Sequence, residues 1–417
     1  MTVSPIFEAL ESEVRGYCRS WPVTFDTAVG SRMTDADGRS YLDFFAGAGA
    51  LNYGHNNPAL KQPLLDYLAR DGVVHSLDMH TQAKAEFLET FSELILRPRG
   101  LGYKVMFPGP TGTNAVEAAL KLARKVSGRP QMINFTNAFH GMTLGSLAVT
   151  GNAKKRAGAG IPLVHATPMP FDNFLGGKTP DFVWFERLLD DAGSSLNAPA
   201  GVIVETVQGE GGLNAARVEW LQGLADLCRR HGLLLIVDDV QMGCGRTGPF
   251  FSFEIAGIEP DIVCISKSIS GYGLPMALTL FKPEHDLWSP GEHNGTFRGQ
   301  CPSFVTSAAA LRHYWSNDAL QLATKAKSEK VESALQAIAG STPGVHVKGR
   351  GLALGLSFAE APLGDKVAAA AFERGMLMET AGPKDQVAKL MPALTITDDE
   401  LDEGLEILAD AVRSVTG

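Results

Sequence analysis

Residues 233–241 read LLLIVDDVQ, an unbroken apolar run that ends in two acids, Asp238 and Asp239. Strands that are buried on both faces of a parallel sheet have continuous apolar sequences of this kind. Comparable runs lie on either side, with amphipathic helical patterns between them, and the candidate strands are Lys104–Phe107, Met132–Phe135, Gly201–Glu205, Leu233–Val237, Asp261–Ser266 and Met276–Phe281. The alternation predicts an α/β fold with a mostly parallel sheet flanked by helices.

The two ends of the chain follow another pattern, in which helices are interrupted by isolated strands such as Leu352–Phe358. The 417 residues are also too many for one ordinary compact domain. We therefore expect a large domain over residues 51–302 and a smaller α+β domain built from residues 1–50 and 303–417. Because open α/β sheets bind ligands beyond the carboxyl ends of their strands, the polar residues at those ends are the candidates for a functional site.

Composition and charge exclude several classes of function. The net charge of −9 and the absence of a long basic run argue against nucleic-acid binding. The five cysteines are odd in number and include no C-x-x-C pair, which favours a reducing compartment over disulfides or structural zinc. Residues 1–10 lack the pattern of a signal peptide, and no apolar stretch reaches the roughly 18–20 residues of a membrane span. We expect a cytoplasmic protein that contacts no membrane and holds no metal.

Residues 107–114, FPGPTGTN, join a short strand to an amphipathic helix. Gly109 and Gly112 permit a tight turn, and Thr113 can cap the helix, whose first amides and dipole favour a phosphate. An ordinary capped turn would explain the same residues equally well. The segment has no lysine at the place that a nucleoside triphosphate loop requires, so this ligand is disfavoured.

The acids at the end of the run at 233–237 allow three readings. Burial of an ionised carboxylate is costly unless a cation balances it. Asp238 could bind magnesium beside a phosphate, could neutralise a protonated pyridine nitrogen, or could simply cap the following turn.

Lys267 decides between these readings. It follows the strand pattern DIVCIS at 261–266 and precedes the segment SISGYG. Desolvation lowers the pKa of a lysine in such a place and makes its amine a better nucleophile. An enzyme that uses pyridoxal 5′-phosphate (PLP) needs a lysine for the Schiff base, a carboxylate for the ring nitrogen and a site for the phosphate. Lys267, Asp238 and the turn at Gly112–Thr113 could supply all three.

The chain resembles the class III aminotransferases of PLP fold type I nearly from end to end. The resemblance is carried by an ordered set of segments: DG at 37–38, YLD at 41–43, GHNNP at 54–58, GTNAVEAA at 112–119, FHG at 139–141, ETVQGEGG at 205–212, DDVQ at 238–241, GCGRTG at 243–248, PDI at 260–262 leading to Lys267, and GTF at 295–297.

The resemblance implies a role for each matching residue. Lys267 and Asp238 would be catalytic, Lys267 as the residue bonded to PLP and as the proton shuttle, Asp238 on the ring nitrogen. Thr296 would reach the phosphate from a neighbouring subunit, which makes the active unit a homodimer or a higher homo-oligomer with shared active sites. The remaining cofactor residues would be Gly112 and Thr113 at the phosphate, Phe139 and Val240 on the two ring faces, Gln241 at the ring hydroxyl, and His140 and Glu205 beside the ring.

Four positions bear on the substrate. Glu210 matches a glutamate that pairs with an arginine in ornithine-type members of the family, but Lys389 stands where that arginine is expected. A second arginine of the family is replaced by Met142, and lysine lacks the bidentate geometry with which arginine binds a carboxylate. Arg298 could compensate, although a structural role is equally compatible with its position. Tyr53 completes the set of expected substrate residues.

One subfamily is similar throughout: the diaminobutyrate–2-oxoglutarate aminotransferases of ectoine synthesis. The similarity is carried by AGALNYGHNNP at 48–58, LGYKV at 101–105, PGPTGTN at 108–114, SKSISGYGLP at 266–275 and NGTFRG at 294–299. It implies reversible transfer of an amino group from L-glutamate to L-aspartate 4-semialdehyde. The alternatives are a class III enzyme for ornithine, acetylornithine or 4-aminobutyrate, a PLP-dependent aminomutase, and a non-catalytic nucleotide-binding protein.

Overall fold

The computed structural model describes residues 3–176 and 182–417. The helices are α1 (Pro5–Leu10), α2 (Tyr17–Ser20), α3 (Ala46–Gly49), α4 (Pro58–Ala69), α5 (Gln82–Phe91), α6 (Gly112–Ser127), α7 (Leu144–Ala148), α8 (Ala153–Ala157), α9 (Val183–Asp190), α10 (Val218–His231), α11 (Cys301–Tyr314), α12 (Ala319–Ser341), α13 (Ala361–Glu373) and α14 (Asp398–Thr416). The strands are β1 (Phe25–Val29), β2 (Arg32–Asp35), β3 (Ser40–Asp43), β4 (Lys104–Met106), β5 (Met132–Phe135), β6 (Ala166–Met169), β7 (Gly201–Val204), β8 (Val207–Gln208), β9 (Asn214–Ala215), β10 (Leu234–Asp238), β11 (Ile262–Ile265), β12 (Leu278–Phe281), β13 (Val345–Arg350), β14 (Ala353–Phe358), β15 (Met376–Leu377), β16 (Glu379–Ala381) and β17 (Val387–Leu390).

Seven strands form the central sheet, in the order β4-β12-β11-β10-β7-β5-β6. All neighbouring pairs are parallel except those of β12, which runs antiparallel to both β11 and β4. Every residue of β10 and β11 is buried, because α6 packs on β11 and α10 packs on β10. The predicted α/β fold with a mostly parallel sheet is confirmed, and each candidate strand of the sheet is present.

Two predicted boundaries in this sheet differ from the observed ones for local reasons. The antiparallel strand was expected from Met276 but begins at Leu278, and the carbonyl of Met276 accepts a hydrogen bond from the Ser266 hydroxyl instead of joining the ladder. Helix α6 was expected to be capped by Thr113 but begins at Gly112, because Thr111 takes the N-cap position and donates hydrogen bonds from its amide and its hydroxyl to Oδ1 of Asn114. Side-chain hydrogen bonds therefore set both boundaries.

Strands from the two ends of the chain form two smaller sheets. The first has the order β1-β2-β3-β15, and its last pair joins Leu42 to Met376 across the whole length of the sequence. The second is antiparallel, with the order β13-β14-β17-β16, and α12 and α13 pack against it. The smaller α+β part is therefore built from both chain ends, as predicted, while the residue boundaries at 50/51 and 302/303 stay predictions.

None of the helices in the described ranges combines the length and the apolar surface that a bilayer-spanning helix requires.

Candidate active site

A cavity of about 330 Å³ lies at the carboxyl ends of β7, β10 and β11. This volume lies in the range of small-molecule sites, and the place is where ligands of open α/β sheets bind. It brings together ten of the residues that the sequence singled out: Gly112, Thr113, Phe139, His140, Glu205, Glu210, Asp238, Val240, Gln241 and Lys267.

Asp238, the last residue of β10, is buried and held by two hydrogen bonds. Nδ1 of His140 donates to Oδ2 of Asp238 at 2.7 Å, and the backbone amide of Val240 donates to Oδ1 at 3.1 Å. Burial alone would lower the pKa of His140, but the hydrogen bond to Asp238 and its charge outweigh burial and raise the pKa. The hydrogen bond thus fixes Asp238 and His140 as a pair on one wall of the cavity.

Asp239 follows Asp238 but has a different environment. Its Oδ2 accepts a hydrogen bond of 2.9 Å from the amide of Ser252, and its side chain does not line the cavity. Burial raises the pKa of Asp239 to about 7. Only Asp238 of the two acids can therefore face a ligand.

Glu205, just after β7, joins two loops at the cavity. Its carboxylate accepts hydrogen bonds from the amides of Phe139 at 2.8 Å and Gly209 at 3.2 Å. Burial raises the pKa of Glu205 to about 7. The side chain fixes the backbone that carries the Phe139 ring, and the expected supporting role of Glu205 at a cofactor stays a prediction.

Lys267 follows β11 in the left-handed region, with φ of +54°, which turns its side chain into the cavity. Its Nζ donates a hydrogen bond of 2.8 Å to the carbonyl of Ala48, a neutral acceptor. Burial is the largest influence on this amine, and it lowers the pKa of Lys267. The structure thus places an amine that loses its proton easily opposite Asp238.

The backbone around Lys267 is held by hydroxyl groups of α11. Ser303 donates to the carbonyl of Pro275, Thr306 donates to that of Ser270, and Ser307 donates to that of Ile269, at 2.6–3.0 Å. Ser268, next to Lys267, donates to the carbonyl of Gly49 at 2.8 Å.

The turn before α6 forms the opposite wall. A Cβ atom at Gly112 would lie 2.7 Å from Cγ1 of Val240, so only glycine lets these two walls approach so closely. The hydroxyl of Thr113 lies within hydrogen-bonding distance of Thr143 and Ser146. The helix start, with its amides and dipole, is therefore open to an anion in the cavity.

Glu210 links the cavity to a buried charge cluster beneath it. Nζ of Lys389 lies 2.9 Å from Glu210 and 2.7 Å from Glu379, and the Tyr17 hydroxyl donates to Glu379 at 3.2 Å. Burial alone would lower the pKa of Lys389, but Glu210 and Glu379 outweigh it and raise the pKa. Although burial opposes ionisation, Lys389 and Lys267 lower the pKa of Glu210 to about 2. Gln241 donates to both Ala48 and Glu210.

Four predicted site residues do not line this cavity. Lys389 is fully buried between its two carboxylates. Tyr53 is buried, stacks on Tyr314 and accepts a hydrogen bond from Trp315. Arg298 donates to the carbonyl of His293 and to Asn294. Thr296 is exposed at the surface of this chain.

Glu379 belongs to the charge cluster beneath the cavity but was not predicted from the sequence. It stands directly opposite Lys389 in the antiparallel pair of β16 and β17. The signal was present, because GPKD at 382–385 is a turn sequence between two short strands, and a hairpin about it pairs these positions.

A larger hollow of about 700 Å³ lies at the opposite edge of the sheet, beside the first residues of β10 and the end of α10. Four of its charged groups form two pairs: Lys282 with Asp261 at 2.9 Å, and Arg229 with Asp226 at 2.8 Å. None of the predicted site residues lines it. The cavity at Lys267 is therefore the candidate active site, despite its smaller volume.

Known proteins similar to this chain fall into one family. The class III aminotransferase family model matches residues 17–412. The diaminobutyrate–2-oxoglutarate transaminase of Streptomyces anulatus is 66% identical over 99% of both chains, and that of Nocardia farcinica is 65% identical over 98% of this chain and 94% of its own. The ornithine aminotransferase of Toxoplasma gondii shares the fold, with a TM-score of 0.84 at 23% identity, over 98% of this chain and 94% of its own.

These matches extend over nearly the whole sequence, and the structural neighbours have PLP fold type I. The chain belongs to the class III aminotransferase family, and its cofactor is pyridoxal 5′-phosphate.

Proposed function

We propose that this enzyme catalyses the reversible transfer of an amino group from L-glutamate to L-aspartate 4-semialdehyde. The products are L-2,4-diaminobutyrate and 2-oxoglutarate, and the reaction is the first step of ectoine synthesis. The observation that carries the chemistry is the cavity in which Lys267 and the Asp238–His140 pair face each other. The substrates are supported by curated relatives that are named for this transamination and are 53–67% identical to the chain.

The residues of the cavity fit the cofactor. The start of α6, closed in by Gly112 and Val240, suits the phosphate, and Asp238 with its histidine partner suits a protonated ring nitrogen. Phe139 offers its ring to one face of the cofactor and Val240 its methyl groups to the other, and both residues line the cavity. Gln241 and Thr113 supply polar groups at the rim.

Lys267 is the covalent anchor and the proton carrier. When bound, the cofactor supplies an electron sink for the carbon that loses its proton. Burial lowers the pKa of the Lys267 amine, which would suit Nζ to carry a proton between two carbon atoms. Its neutral hydrogen-bond partner, the Ala48 carbonyl, releases it without breaking an ion pair.

Asp238, supported by His140, would hold a positive charge at the ring nitrogen. His140 orients the carboxylate of Asp238 through the bond of 2.7 Å. Glu205 holds the loop of Phe139 from the other side. These fixed charges favour the electron flow that transamination requires and need no reorganisation during the reaction.

The active unit in this proposal is a homo-oligomer. Thr296 is exposed on this chain, as a residue that serves a neighbouring site would be. Phe297, Met142 and Met79 are exposed apolar residues that suit a contact between subunits. The same proposal places the enzyme in the cytoplasm, where its five unpaired cysteines would stay reduced.

The test is an assay of purified holoenzyme with L-glutamate and L-aspartate 4-semialdehyde. We expect stoichiometric diaminobutyrate and 2-oxoglutarate, with a higher kcat/KM for diaminobutyrate in the reverse direction than for ornithine, acetylornithine or 4-aminobutyrate. Absence of diaminobutyrate, or preference for another donor, would refute the proposed substrate. Turnover without a 2-oxo acid would indicate an aminomutase.

A further inference from the structure

The cavity needs a cation that its lining does not supply. Glutamate and 2-oxoglutarate are dicarboxylates, so this inference rests on the proposed function. Among the described residues that line the cavity, the ionisable side chains are Glu205, Glu210, Asp238, Lys267 and His140. Nδ1 of His140 is bonded to Asp238, and Lys267 is taken up by the cofactor in the proposed function. The described lining thus leaves no cationic side chain for a carboxylate of the substrate, which would also lie beside Glu210, unless another cation is close by.

The two cations expected from the sequence are not available in this chain. Nζ of Lys389 has no exposure and is held by both Glu210 and Glu379. If Glu210 turned away, Glu379 would still neutralise it. Arg298 bonds to its own loop and lies outside the cavity lining. A carboxylate that enters the cavity must therefore find a different partner.

Lys155 is such a partner. It belongs to α8, whose start is capped by Asn152, and its Nζ lies 4.2 Å from the centre of the Phe139 ring. Lys155, Phe139 and Glu210 together line a small cleft of about 20 Å³, and the latter two also line the main cavity. Within residues 3–176 and 182–417, no carboxylate forms a salt bridge with Lys155. Burial opposes the ionisation of Glu210, but Lys389 and Lys267, with a smaller contribution from Lys155, lower its pKa. Burial raises the pKa of Asp385, and the charge of Lys155 only partly offsets this effect.

We propose that Lys155 binds a carboxylate of the substrate at the Phe139 rim of the cavity. The ammonium rests on the face of Phe139, which positions it through a cation–π contact and leaves its other hydrogen-bond donors free. The cleft has room for about one water-sized group, such as a carboxylate oxygen. Lys155 thereby supplies the charge that Lys389 is prevented from supplying.

The test is inhibition of the holoenzyme by glutarate, a dicarboxylate with no amino or oxo group. We expect Lys155→Met to raise the inhibition constant of glutarate, and the KM of glutamate, about tenfold while kcat changes little. Lys155→Arg keeps the charge and should keep most of the affinity. Lys154→Met, which removes an exposed neighbouring lysine from the same helix, should bind glutarate as the parent enzyme does.

Propylamine provides the second readout, because it can donate an amino group but carries no carboxylate. Its half-reaction should be unaffected by Lys155→Met. Unchanged glutarate inhibition in Lys155→Met, or equal losses with glutarate and propylamine, would overturn the role of Lys155. If the parent enzyme forms no diaminobutyrate, the proposed substrate fails, but the glutarate titration still decides whether Lys155 binds carboxylates.

Discussion

Lys267 and Lys389 lie close together but behave in opposite ways. Lys267, at the end of β11, opens only into the cavity and bonds to a carbonyl, and its pKa is lowered mainly by burial. Lys389, on β17 of the smaller sheet, is closed off completely, yet two carboxylates overcome burial and raise its pKa. The difference teaches that burial alone does not make a lysine reactive. The number of acids around the amine decides whether it is a nucleophile or a structural cation.

The largest expected effect tests the reactive side of this comparison. Lys267→Ala should lower kcat/KM for transamination by about 10⁴-fold or more, because it removes both the covalent anchor and the proton carrier. Its free energy of unfolding should change little, since Nζ of Lys267 bonds to the neutral carbonyl of Ala48. Enzyme kinetics and urea denaturation measure the two effects, with Lys154→Ala as the control. Retained turnover in Lys267→Ala would end the assignment of this lysine.

The next effect tests the structural side. Lys389→Met leaves Glu210 and Glu379 in the protein interior without their shared cation, and should lower the free energy of unfolding by about 3–5 kcal/mol. Urea denaturation at constant pH provides the measurement. The triple variant Lys389→Met, Glu210→Gln, Glu379→Gln removes all three charges and should recover part of the loss. If Lys389→Met alone is as stable as the parent, the cluster is not held by charge.

Removal of one of the two acids that pair with Lys389 makes its surroundings more like those of Lys267, whose amine bonds to a neutral carbonyl. Glu379→Gln leaves one carboxylate on Lys389 and should lower the free energy of unfolding by roughly 1.5–3 kcal/mol. We also expect the pKa of Lys389 to fall, which NMR of ¹⁵N-labelled lysine side chains would detect. An unaltered pKa of Lys389 in this variant would show that Glu210 alone keeps this pKa raised. It would contradict the conclusion that both acids are needed to overcome the burial of the amine.

The smallest effect extends the comparison to acids without a cation. Burial raises the pKa of Asp239 from 3.8 to about 7, so the folded protein holds a proton that the unfolded chain has already released. Stability should therefore fall as the pH rises from about 4 to 7, because the unfolded chain releases this proton at a lower pH than the folded protein does. Asp239→Asn should remove it in denaturation curves recorded across that range, whereas Asp286→Asn, at an exposed position, should keep the slope of the parent.

The geometry of the candidate site could largely be predicted from the sequence for a simple reason. The apolar runs that end at Asp238 and Lys267 form neighbouring parallel strands, so their carboxyl ends converge on one cavity. The turn before α6 faces the same edge because α6 packs on β11.

The substrate residues could not be predicted in the same way. Their contacts depend on how the smaller sheet is paired, and the match between Glu379 and Lys389 is a matter of strand register. Lys155 gave no signal at all, since a lysine in a five-residue helix is usually solvated, and only the folded chain brings it over Phe139.

The hydroxyl groups of Ser303, Thr306 and Ser307 have a consequence for how the enzyme moves. They fasten the main chain that follows Lys267 to one face of α11 at three successive points. The backbone that follows Lys267 is thus held in place. We therefore expect the Lys267 amine to move during turnover by rotation about the bonds of its own side chain. Loss of these hydrogen bonds would leave the position of the Lys267 amine less well defined. We expect this loss to lower kcat more than it weakens the binding of either substrate.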